Sequence, residues 1–161
     1  LEFFAMTALV ARWRPAHVHD AALLTTHAEI DAMLATLLGE AVGRIAVELR
    51  VEPPAPGDQR RMLVGVNANE LTGSVALLTD DESTGDPTVR RWYGAGKAYL
   101  DGGRVAYPWM GQARWFPPDC RLSLDEISAA VKDWLVTAGR RRPAAITWQP
   151  WPARDSVEGS A

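Results

Sequence analysis

The stretch "SLDEISAAVKDWLVTAGRRRPAAITW", Ser123 to Trp148, reads as a helix with both ends written out, followed by a return into a sheet. Ser123 and Glu126 have the spacing of a capping box, in which hydroxyl and carboxylate each take one of the unpaired N–H groups of the first turn. Behind them Ile127, Ala130, Val131, Trp134, Leu135 and Ala138 form one apolar helical stripe. Gly139 suits the left-handed C′ position, and Arg140, Arg141 and Arg142 set cations at the negative end of the helix dipole. Pro143 forbids further helix, and "AAITW" resumes as a strand expected to bury Trp148 against Trp134 and Leu135. A one-faced helix feeding directly into a short strand implies a helix packed on a sheet.

The rest of the chain repeats this grammar. Thr26 and Glu29 form a second capping box, and Ile30, Met33, Leu34, Leu37 and Leu38 follow as an apolar stripe that Gly39 or Gly43 ends. "ALVARWR" (Ala8 to Arg14) and "RIAVELRV" (Arg44 to Val51) alternate in period two, as half-buried strands do. "RMLVGVN" and "GSVALLTD" are the next strands, joined through "ANELT" as a hairpin, after a proline-rich break at "EPPAPGD". Short strands are expected around "RVAYPWM" and "ARWF", with "DGG" as a turn and Pro108 marking an edge or bulge. The implied architecture is α+β: a single domain with two main helices on a mostly antiparallel sheet. Its span is 6–149, with Leu1 to Ala5 expected to derive from the expression vector ahead of a native Met6, and 150–161 a flexible tail.

Totals narrow the function classes. The 161 residues suffice for one self-standing core. A net charge of −3 has the wrong sign for a nucleic-acid binder and is too small for a polyanion mimic. Cys120 is the only cysteine, so no internal disulfide forms, and no run approaches the ~20 apolar residues of a membrane helix. The cytoplasm is the expected compartment.

Sites of chemistry are sparse. His17, His19 and Asp20 in "HVHD" offer imidazoles and a carboxylate without a complete metal set, so a solvated loop is the simpler reading. Cys120 sits just before a helix start, where a thiol pKa falls, but all three histidines lie within the first 27 residues. "GAGKAY" lacks the spacing and the strand-to-helix setting of a phosphate-binding loop. No catalytic residue, metal or cofactor is expected. The acidic segment Asp80, Asp81, Glu82 and Asp86 is either a solvated turn or a surface for a basic partner, with Trp92, Tyr93 and Trp109 downstream as candidate anchors.

The pattern "P.DC.LSLDEI..A...WL.TAGRRP..I.W" resembles the Imm1 family of bacterial immunity proteins, over roughly Leu9 to Trp148. The chain departs from that pattern by extra arginine before Pro143 and by the insertion Pro53 to Gly57. The resemblance implies a domain that binds and neutralises a toxin of a polymorphic system, usually a nucleic-acid deaminase and less often a nuclease. It also implies structural roles for Gly139, Pro143 and Trp148, and no catalytic residue, direct nucleic-acid contact or membrane association. Two other classes stay open from the residues alone: a small enzyme using Cys120 or His17/His19, and a non-catalytic secretion chaperone or adaptor.

Overall fold

The computed structural model describes residues 7–40, 43–54, 60–78, 91–99 and 102–152. Its strands are β1 (Ala8–Arg12), β2 (Ala22–Leu24), β3 (Arg44–Glu52), β4 (Arg61–Asn67), β5 (Thr72–Leu78), β6 (Arg91–Ala95), β7 (Val105–Trp109), β8 (Gln112–Phe116), β9 (Leu122–Ser123) and β10 (Thr147–Pro150). The helices are α1 (His27–Glu40) and α2 (Leu124–Val136), with a 3-10 turn at Pro15–Val18. The main sheet runs β10-β6-β5-β4-β3-β1-β2, β9 adds to β5, and β7 and β8 form a separate hairpin. All these pairings are antiparallel, so the α+β expectation holds.

Alternation along the strands gives the sheet two unlike faces. Leu9, Ala11, Val47, Leu49, Val64, Val66, Val75 and Leu77 point to one side and meet the stripes of α1 and α2 in the larger core. Both caps form. Ser123 Oγ accepts the Glu126 N–H while the Glu126 carboxylate takes the Ser123 N–H. On α1, Thr26 Oγ1 accepts from Glu29 N–H, but the Glu29 carboxylate reaches one residue further back, to the Thr25 N–H at 3.0 Å. Asp31 joins the helices, pairing with Lys132 at 2.8 Å and accepting from Ser128 Oγ at 3.2 Å.

The other face carries a second, smaller core under the β7–β8 hairpin. Ala46, Gly65 and Ser74 lie opposite one another on β3, β4 and β5, a row of small residues that leaves a trough. Tyr107 fills it: a Cβ on residue 65 would stand 2.5 Å from Tyr107 Cγ and 2.6 Å from Cδ1 and Cδ2. Phe116 packs edge-on to Tyr107, with centroids 5.4 Å apart. The hairpin turns on Met110 and Gly111, φ 48° and 81°, the left-handed pair that a two-residue hairpin needs.

Four details of the ending differ from expectation. Ala138, with φ 53°, takes the C′ position, and Gly139 follows at C″ with φ 68°. The carbonyls of Leu135 and Trp134 accept from their N–H groups at 3.1 and 2.9 Å, a Schellman close. Gly139 is needed one place later because a Cβ there would lie 2.7 Å from Val51 Cγ2. The last strand starts at Thr147, since Ala144 and Ala145 sit in the turn after Pro143. Trp148 is half-buried at the margin of the larger core, because β10 is an edge strand, and its Nε1–H donates to the Pro143 carbonyl at 2.9 Å. The sheet also continues past Trp148, since Pro150 ends β10 and Trp151 packs near Tyr93 and Phe116. Residues 1–6 and 153–161 lie outside the described residues.

Candidate functional site

The chemistry-bearing side chains fall into two groups on the hairpin side of the sheet. The first is internal. Cys120 Sγ lies 3.1 Å from Ser74 Oγ, Ser74 Oγ 3.0 Å from Tyr107 OH, and Tyr107 OH 2.9 Å from Tyr99 OH. This chain links β5, β7 and the approach to β9 through the smaller core. Cys120 and Tyr107 are fully enclosed. Burial pushes the Cys120 thiol up to about 11 and the Tyr107 phenol above its ordinary value. A thiol so placed is protonated near neutrality, the reverse of a nucleophile. Its work is to satisfy buried polar atoms under the hairpin.

His17 is equally committed. Its Nδ1 accepts N–H bonds from Trp13 at 3.1 Å and Arg14 at 3.3 Å, and its ring meets Trp13 edge-on, with centroids 4.3 Å apart. Burial, and then the Arg14 charge, lower its pKa. The imidazole closes the loop after β1, while His19 is exposed. No three His, Cys, Asp or Glu side chains among the described residues cluster as a metal site.

The second group is open to solvent. Where the hairpin stops, cross-strand register lines up Arg50, Arg61, Leu78 and Arg91 on neighbouring strands β3 to β6. Arg114 of β8 faces Arg61, Leu78 and Arg91 across a recess of about 80 Å³, lined also by Glu48, Leu63, Ala76 and Trp115. Arg50 Nε donates to Glu48 at 2.8 Å. Arg91 stacks over Trp151 at 4.3 Å and Arg114 over Trp109 at 4.8 Å.

Of the residues expected to meet a partner, Asp80, Asp81, Glu82 and Asp86 lie outside the described residues. Trp92 and Tyr93 belong to the interior, only 8% and 6% exposed, which corrects the expectation of surface anchors. Alternation on β6 forces this, because Trp92 turns to the helix-side core and Tyr93 to the hairpin side. Arg142 covers the Trp92 ring at 4.0 Å, and Tyr93 OH donates to the Asp119 carboxylate at 2.9 Å. Trp109 is half-buried, donating its Nε1–H to the Arg12 carbonyl at 3.0 Å while its ring carries Arg114. The arginine row was missed because each arginine alone is an ordinary polar-face residue. Only strand register aligns them.

The family model described as Immunity protein Imm1 matches residues 18–150, from the 3-10 turn to the end of β10. No curated protein matches the chain.

Proposed function

The chain belongs to the Imm1 family of immunity proteins, and from that membership we propose that it protects by binding a nucleic-acid deaminase toxin and covering its active site or substrate groove. The observation that carries this reading is the family match, which takes in both helices and nearly the whole sheet. The enclosed, protonated state of Cys120 and the structural commitment of His17 supply a supporting argument. Both are used up by the fold, so two of the three groups on which an enzyme reading would rest are not poised for chemistry, and only His19 stands exposed.

Neutralisation at low copy number needs nanomolar affinity, about −12.3 kcal/mol, and an interface on the order of 1,600 Å². A deaminase or nuclease holds its nucleic acid in a basic groove, which attracts opposite charge. The acidic quartet Asp80, Asp81, Glu82 and Asp86 would steer this chain toward that groove, acting mainly on the association rate. Gene neighbourhood identifies the toxin, and a polymorphic toxin gene next to this one is the expected context. Co-expression with that toxin should give survival and a co-purifying complex, retained in Cys120→Ser and His19→Ala variants. Loss of protection in either variant, with folding and toxin binding intact, would restore the enzyme reading. Survival without a complex would sink occlusion.

A further inference from the structure

The arginine row poses an electrostatic problem that the described residues leave unsolved. Arg50 and Arg61 stand directly opposite on β3 and β4, and only Leu78 separates Arg61 from Arg91 along the same row. Like charges so placed destabilise a sheet. Glu48 answers Arg50 alone; among the described residues no carboxylate lies within ion-pair distance of Arg61, Arg91 or Arg114. The crowding is felt within the group, since partial desolvation and then the charges of Arg61 and Arg114 lower the pKa of Arg91. Three positive charges without an ion-pair partner among the described residues thus collect at one recess of a chain whose net charge is −3.

The cluster is also pre-organised. Trp151 and Trp109 carry the Arg91 and Arg114 guanidiniums over their rings, 4.3 and 4.8 Å from the centroids, which restricts where the two charged heads can lie. The two platforms are themselves fixed. Trp151 donates its backbone N–H to the Arg91 carbonyl at 2.9 Å, and the Trp109 indole is tied to Arg12. Holding the donors before the ligand arrives removes much of the ordering cost of binding.

We infer that this recess seats an acidic side chain of the toxin, with its carboxylate between Arg61, Arg91 and Arg114 and its stem on Leu63, Leu78 and Trp115. The inference rests on the toxin-binding reading and adds to it the chemistry of one contact. Planar forks around a small, partly apolar recess fit a single carboxylate. A nucleic-acid strand would need basic groups continuing along a track with stacking platforms open to its bases, whereas here the platforms are already covered by arginine.

The test uses the full chain and the toxin domain encoded by the adjacent gene, its active site inactivated. Dissociation constants are measured for wild type, Arg61→Glu, Arg61→Gln and Arg141→Glu, with the melting temperature of each. Arg61→Glu should weaken binding by about 100-fold or more and Arg61→Gln by about 10-fold, while Arg141→Glu, at an exposed helix end, stays within about 3-fold. If Arg61→Glu misfolds, the folded Gln variant decides. Wild-type affinity in a folded Arg61 variant overturns the inference and leaves the immunity reading standing. Absence of toxin binding by the wild type overturns both. A fluorescent 20-mer single strand bound by wild type and released by Arg61→Glu would assign the recess to nucleic acid and overturn the inference too.

Discussion

Gly65→Ala tests whether the hairpin is seated by the row of small residues beneath it. The new methyl would stand 2.5–2.6 Å from three ring atoms of Tyr107. Carbon atoms prefer about 3.5–4.0 Å, so the ring must retreat by roughly 1 Å. Tyr107 is fully buried, and its hydroxyl is held at 3.0 Å by Ser74 and 2.9 Å by Tyr99, so retreat breaks a buried polar chain. Overpacking costs about 1–3 kcal/mol, and a stranded buried hydroxyl adds about 1–3 kcal/mol. The expected loss is therefore roughly 2–6 kcal/mol, or about 4–24 °C in melting temperature for a domain of this size. Urea denaturation of Gly65→Ala, Tyr107→Ala and the double variant measures it. With the ring gone, Gly65→Ala should be near neutral or mildly stabilising, since glycine is a poor strand residue. A loss below about 0.5 kcal/mol in the single variant, or the same loss in both backgrounds, refutes the reasoning.

Three further outcomes follow from named contacts. Trp148→Ala should cost about 1.5–3 kcal/mol, less than a full core truncation, because half of the indole and its bond to Pro143 are at stake; calorimetry checks it. His17 is held below its unfolded value of 6.5, so its contribution is complete above that pH and is lost as pH falls through the lowered folded value. Melting temperatures at pH 7.5 and pH 5.0 should therefore diverge more in wild type than in His17→Asn. Reversing Asp80, Asp81 and Glu82 to Lys should slow toxin association and weaken its salt dependence, leaving dissociation nearly unchanged in stopped-flow traces.

What could be read from the residues was whatever is local. The α2 capping box, the stripe of Ile127, Val131 and Trp134, and the in-and-out direction of the β3 side chains are set by neighbours within four positions and are found in the structure. Yet β3 is covered on both faces, with Ala46 and Glu48 buried, and not half-buried as its pattern implies. The seat of the hairpin was not legible, because Ala46, Gly65 and Ser74 become a trough only when three strands align in register. The same holds for Arg50, Arg61 and Arg91. Trp92 and Tyr93 were misjudged for a related reason. Both faces of β6 are covered, so alternation does not expose either ring.

The two ends of the hairpin-side face divide the work. At one end the cross-strand rows shrink to Ala, Gly and Ser, the β7–β8 hairpin settles in, and every polar atom of the Cys120–Ser74–Tyr107–Tyr99 chain has a partner. At the other end the rows enlarge to arginine, the hairpin stops, and among the described residues only Arg50 has its charge answered, by Glu48. Trp109 stands where the two meet, its indole N–H fastening the hairpin to β1 and its ring supporting Arg114. Seating the hairpin therefore also positions the recess. A lesion in the small-residue trough should weaken toxin binding in proportion to how far it displaces β8, even though no trough residue reaches the surface.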